Sequence, residues 1–242
     1  MGTYLLVSLA PGTPTDDPGF EGARQRAEAA GMVISALSAR TWVGVAGPGR
    51  PSILAVGAWT LVGDVFNRTN APVRRVRDDD PPGYEKKLIA RFWGRFVGVR
   101  LDANGALTAL IRDPSGALEC VYWSDGPLTF VASDAPDWLI DYARPRWRID
   151  ASRVEAALHD PFSTAGELLL DGPDAVLPGT MRAFPDGAVI DLWRPDWLAR
   201  SSAPLSNAEA ASALREAVDE TIAGFARLPG VLAGEVSGGL DS

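Results

Sequence analysis

The chain has 242 residues, 46% of them hydrophobic, and 31 Asp plus Glu against 23 Lys plus Arg, a formal net charge of −8. That length suits one large domain or one domain plus the start of another, and the apolar share excludes wholesale disorder. The acidic balance, with no dense basic cluster, excludes a general nucleic-acid binder.

The opening "MGTYLLVSLA" lacks a basic n-region and a cleavage site, so it is no signal peptide. Its Met-Gly start does not fit the myristoylation pattern, because Leu6 stands where Ser or Thr is needed. It predicts a first strand. "MVISAL", "TWVGVAG", "SILAVGAW" and "TLVGDVF" follow as strands bounded by Gly or Pro. The longest nearly apolar stretch, "ILAVGAWTLVG", is about half the length of a membrane span. The protein is therefore expected in the cytoplasm, without a membrane partner.

"RRVR" at 74–77 runs into "DDD" and predicts a solvated, locally neutral loop. "PGYEKKLIARFW" then places Leu88, Ile89 and Phe92 at helical spacing. After it comes a meander, "GRFVGVRLD", "ALTALIRD", "ALECVYW" and "PLTFVAS", joined by "ANG", "PSG" and "SDG". Short turns make antiparallel pairing of successive neighbours the simplest topology. Cys120 lies within this meander. As the one cysteine it allows neither an internal disulfide nor a multi-cysteine zinc site. A buried core thiol is its expected state. Arg112 and Asp113, before a tight turn, are expected to be structural.

"DAPDWLIDY" predicts a short helix covering one end, and "SRVEAALHD" another with Ser152 as N-cap. His159, at the end of the latter, is expected at the surface. As the one histidine it argues against a His-based metal site or a Ser-His-Asp triad. "GTMRAF", "PDG" and "AVIDLW" form a further hairpin. "SSAPLSN" is a polar linker in which Ser206 or Asn207 can cap the next helix. "AEAASALREAVDETIAGFARL" puts Ala211, Leu214, Val218, Ile222 and Phe225 on one face of that helix. Pro229 and Gly230 stop it, and "VLAGEV" predicts a strand leading into "SGGLDS".

That last stretch has the chemistry of a phosphate cradle. Gly238 and Gly239 let successive backbone amides converge on an anion without Cβ interference, while Ser237 and Ser242 add hydroxyl donors. Asp241 would be repelled by bare phosphate and is suited to it through Mg²⁺. The lysine and spacing of a Walker A loop are absent. A flexible polar tail is the plainer alternative, weighed against by the helix and strand predicted just upstream.

"SGGLDS" resembles the pyrophosphatase-type ATP loop of the asparagine synthetase-like ligases. The resemblance implies that Ser237, Gly238, Gly239, Asp241 and Ser242 hold ATP and departing pyrophosphate. It further implies that Asp241 is one ligand of Mg²⁺ and that Val236 contacts the nucleotide through its backbone. More weakly, the stretch from Arg91 to Trp123, "LPGTMRAF" and "LWRP" resemble the front domain of these ligases. The implied fold is α+β: a degenerate glutamine amidotransferase-like domain over 1–205, of the N-terminal-nucleophile αββα sandwich type. Residues 206–242 would then be the first helix, strand and loop of an α/β ATP-binding domain.

In that family the front domain is a glutaminase whose nucleophile is a cysteine directly after the initiator methionine. Here the position holds Gly2, which has no nucleophile to offer. Thr3 would need two residues removed. The family's oxyanion-stabilising Asn-Gly falls at Val62-Gly63, without the side-chain donor. Its Arg-Gly-Pro-Asp segment has no counterpart near Ser38 to Thr41. The front domain is thus expected to be silent.

A silent glutaminase beside an intact ATP loop points to an amine other than ammonia. Lasso-peptide cyclases and β-lactam synthetases fit that logic, the former resembling "RDPSGALECVYW" more. The implied reaction activates a carboxylate as acyl-adenylate for intramolecular amide closure. The substrate would be a precursor peptide or a small amino-acid-derived molecule, with a leader-peptide-binding protein or a protease as further partners. The rest of the synthetase domain is expected beyond Ser242, so the chain alone is expected to be inactive. A non-catalytic peptide-binding module and a glutamine-hydrolysing asparagine synthetase are the alternatives.

Overall fold

Runs of β-branched and aromatic residues, broken every few residues by glycine turns, fold into strands that bury a different side chain set on each face. The computed structural model describes residues 2–67, 72, 84–161, 168–201 and 204–228. Both "RRVR" and the whole "VSGGLDS" stretch, Val236 to Ser242, lie outside them.

In chain order the elements are β1 (Thr3–Leu9), α1 (Pro18–Ala29), β2 (Val33–Ala36), β3 (Thr41–Ala46), β4 (Ser52–Val56) and β5 (Trp59–Asn67). Then come α2 (Tyr84–Arg91), β6 (Phe92–Leu101), β7 (Leu107–Arg112), β8 (Val121–Asp125), β9 (Leu128–Ala132) and α3 (Asp137–Ala143). A small unit is next, β10 (Arg148–Ile149), α4 (Ala151–His159) and β11 (Leu170–Asp171). The described chain closes with β12 (Asp174–Ala175), β13 (Thr180–Ala183), β14 (Val189–Asp191), α5 (Pro195–Ser201) and α6 (Asn207–Ala226). The protein is a mixed α+β structure with antiparallel sheets.

Two six-stranded sheets carry it, ordered β12-β8-β9-β1-β3-β2 and β14-β13-β7-β6-β5-β4. Strand alternation assigns their faces. In β1, Tyr4 and Leu6 join Val62, Val97, Val99 and Leu110 of the second sheet in one core between the sheets. Leu5, Val7 and Leu9 point the other way and pack with Phe20, Ala23 and Ala27 of α1 and Leu139 of α3. On the far side, Trp59, Leu61, Phe96 and Ile111 pack with Tyr84, Leu88 and Ile89 of α2. The layers therefore run helices, sheet, sheet, helix.

Besides the unforeseen helix α5, four expectations change. Helix α1 was not evident from the sequence; Asp17 caps it, accepting from the Phe20 amide at 2.9 Å, with Pro18 in its first turn. Helix α3 lies on the outer face of the first sheet rather than over one end, its Tyr142 donating to the Gly19 carbonyl at 2.6 Å. Helix α4 is capped by Asp150, not Ser152, whose own amide donates to Asp150 at 3.0 Å. An aspartate two residues earlier reaches two of the orphan amides of the first turn, so it wins the position.

The fourth concerns topology. β6 pairs with β7 and β8 with β9, but β7 and β8 belong to different sheets. "PSG" is a crossover, not a hairpin. Arg112, 4% exposed, donates to the carbonyls of Leu118 (2.9 Å), Val176 (3.2 Å) and Gly116 (2.6 Å). Asp113, 1% exposed, accepts from the Phe96 amide at 2.9 Å and the Ser115 amide at 2.8 Å. These buried bonds satisfy the carbonyls that a chain changing sheets would otherwise leave unpaired.

Candidate functional site

Gly2 is buried, just ahead of β1, and the segment after β3 lies directly upon it. A Cβ at position 2 would stand 2.5 Å from the Gly49 carbonyl oxygen, 2.7 Å from Pro51 Cδ and 2.9 Å from Arg50 Cα. Two of these are backbone atoms, which cannot swing aside as a side-chain tip can. Position 2 therefore lacks a nucleophile and also lacks the room for one. The sequence showed the first fact and not the second.

Val62 is fully buried in the core between the sheets, so its side chain offers no donor. Gly63 beside it has φ +139, and its added Cβ would collide with the Arg95 carbonyl oxygen. Gly94, two residues before Phe96, the Cα partner of Gly63 on β6, has φ +137 and the same conflict with the Asp64 carbonyl oxygen. At these two places β5 and β6 approach so closely that only glycine fits. Between them, Arg95 Nε donates to Asp64 Oδ2 at 2.6 Å.

Cys120 sits just before β8, wholly buried beside Tyr4 and Val97 in the core. Burial pushes its thiol up to about 12. A nucleophilic cysteine needs the opposite, a thiolate stabilised by nearby positive charge at an accessible surface. Tyr4 next to it is likewise raised by burial and donates to the Glu119 carbonyl at 2.9 Å. Asp113 is raised too, desolvation outweighing its hydrogen bonds from Ser115 and Phe96. Each of these groups is locked in a structural role. His159 closes α4 at the surface.

Among the described residues, no three or more His, Cys, Asp or Glu are grouped so as to hold a metal ion. None of the described helices is long and apolar enough to cross a membrane. The predicted nucleotide residues, Val236, Ser237, Gly238, Gly239, Asp241 and Ser242, lie outside the described residues, but the helix that precedes them is described. α6 starts with a capping box: the Glu209 amide donates to Ser206 Oγ at 3.3 Å, and the Ser206 amide to Glu209 Oε2 at 2.9 Å. Its far end carries Phe225, which meets Phe66 and Trp93 of the second sheet edge-on. Sequence periodicity identified Phe225 as apolar but not its partners.

No protein-family model matches this chain, and no curated protein matches it.

Proposed function

We propose that the protein is an ATP-dependent, amide-forming ligase of the asparagine synthetase type, working in the cytoplasm. Residues 1–205 are a degenerate glutaminase-like domain of the N-terminal-nucleophile class, and 206–242 open the ATP-binding domain. The reading is carried by one observation, the run Ser237-Gly238-Gly239-Leu240-Asp241-Ser242 after a strand-like stretch. Its amides and hydroxyls are donors suited to the triphosphate, with Val236 alongside. Asp241 supplies the hard carboxylate oxygen that Mg²⁺ takes, and bound Mg²⁺ neutralises phosphate charge.

The layered sandwich is compatible with the front-domain assignment, and the closed space at Gly2 supports its silence. With no ammonia generated there, the amine comes from the substrate itself. A carboxylate attacks the α-phosphate of ATP, releasing pyrophosphate and forming an acyl-adenylate, and an amine of the same molecule then closes the amide by displacing AMP with loss of a proton. Holding both groups in one site replaces a bimolecular encounter. A precursor peptide is the preferred substrate and macrolactam closure, as in lasso-peptide cyclases, the preferred reaction. A small amino-acid-derived substrate would make it β-lactam synthetase-like.

A non-catalytic peptide-binding module is the second reading, favoured by the open apolar side chains of Ile149 (75% exposed) and Leu158 (81%). One experiment separates the two. ATP–pyrophosphate exchange is measured with the product of the whole reading frame and a set of candidate precursor peptides. The ligase predicts peptide-dependent exchange abolished by Asp241→Ala. Peptide binding without exchange would establish the module instead.

A further inference from the structure

α6 meets the sandwich at its C-terminal end. Gly224 is buried against the indole of Trp93, and a Cβ there would stand 2.9 Å from Cη2 and 3.0 Å from Cζ2. That indole stacks on Phe66, ring centroids 4.4 Å apart at 20°. Phe225 packs edge-on against both, at 5.3 Å from Phe66 and 5.8 Å from Trp93. The ring of Trp93 is pinned as well, its Nε1 donating to the Asn67 carbonyl at 3.0 Å. Arg95 lies over the Phe225 ring at 5.7 Å and is itself held by Asp64. Earlier along the helix, Leu214, Val218 and Ile222 are all exposed. The helix is thus seated at one end, its own Phe225 edge-on to a wall of two stacked aromatic rings, Phe66 and Trp93.

We infer that Gly224 is a positioning residue: the missing side chain lets α6 lie against Trp93, and this seat sets the direction in which the chain leaves the helix. Its consequence for chemistry rests on the ligase reading, because the sequence beyond the seat is the one that carries Ser237 to Ser242. On that reading the silent sandwich contributes by fixing where the chain that carries those residues leaves α6. A displacement of that loop by about 1 Å is enough to slow a positioned reaction by ~100-fold.

The test uses the product of the whole reading frame with two variants, Gly224→Ala and the double variant Gly224→Ala/Trp93→Phe. Phenylalanine removes the ring atoms that the new methyl strikes while keeping an aromatic face on Phe66. Two quantities are read: amide hydrogen exchange at the end of α6, and ATP–pyrophosphate turnover per folded molecule at saturating ATP. Gly224→Ala is expected to speed amide exchange at the seat by about tenfold or more and to cut turnover ~10- to 100-fold. The double variant is expected to restore both to within about threefold, taking that margin from the usual tolerance of shape-compensated packing. A purely structural role would lower the yield of folded protein and leave turnover per folded molecule unchanged. Unchanged amide exchange in Gly224→Ala, or a loss that Trp93→Phe does not reverse, overturns the inference. Wild-type protein without any exchange of pyrophosphate defeats the ligase reading alone, and the seat is then decided by the amide data.

Discussion

Gly2 and Cys120 show how a single side chain decides what chemistry is possible. At Gly2 the neighbouring backbone of residues 49 to 51 occupies the volume that a side chain needs. Gly2→Cys is therefore expected to give no glutaminase activity and to lower stability by about 1–3 kcal/mol, the usual cost of overpacking. Urea unfolding and ammonia release from glutamine check the two halves, and measurable hydrolysis would refute the first. For Cys120 the direction of the pH effect comes from its raised value. The thiol ionises near 9.0 when free and near 12 when folded, so the folded form holds its proton longer. Its contribution is fully present below pH 9.0 and is lost as pH rises towards 12, at up to about 1.4 kcal/mol per unit. Tyr4 is shifted the same way by burial. Stability measured in urea should therefore fall on the alkaline side, and Cys120→Ala should make that fall shallower by one proton's share. An identical slope in the variant would show that the thiol is not the group responsible.

Crossing from β7 to β8 depends on Arg112, whose guanidinium serves three carbonyls and the Glu119 carboxylate at 2.8 Å. Arg112→Met strands those carbonyls, and a loss of roughly 3 kcal/mol or more in urea unfolding is expected from about 1–3 kcal/mol per unsatisfied buried group. Periodicity made most strands, α2 and α6 legible, because each presents large apolar residues at strand or helix spacing. It could not reveal α1, whose buried face is Phe20 with two alanines, too weak a pattern to stand out. Nor could it assign the sheet of each strand. "ANG" and "PSG" look alike as turns, and only the buried partners of Arg112 and Asp113 make the second a crossover. α5 was hidden for a similar reason: its Trp197 and Leu198 are exposed, so no burial pattern marks it. The open face of α6 carries its own prediction. Val218→Glu, at a side chain 47% exposed, should leave stability within about 0.5 kcal/mol and raise the concentration at which the protein stays monodisperse. A clear loss of stability would mean that this face is covered.

Taken as a molecule, the protein is two antiparallel sheets with helices outside both, a closed position 2, and a capped helix seated on the second sheet by its last turn. Of the candidate site, the absence of a nucleophilic side chain at position 2 was readable from Gly2 alone. Its sealing by the chain at 49 to 51 was not, since those residues are distant in sequence and meet only in the fold. The proposed nucleotide residues were named from the resemblance of "SGGLDS" to an ATP loop, while the composition, two glycines between serines with one aspartate, pointed only to an anion cradle. What makes that composition meaningful is the capacity of adjacent amides to hold phosphate with Mg²⁺. Isothermal titration of Mg·ATP into the product of the whole reading frame tests this claim most directly. Saturable binding is expected, abolished by Gly238→Val and weakened by Asp241→Ala only when Mg²⁺ is present. Absence of binding in the folded wild-type protein, or binding indifferent to both substitutions, would contradict it.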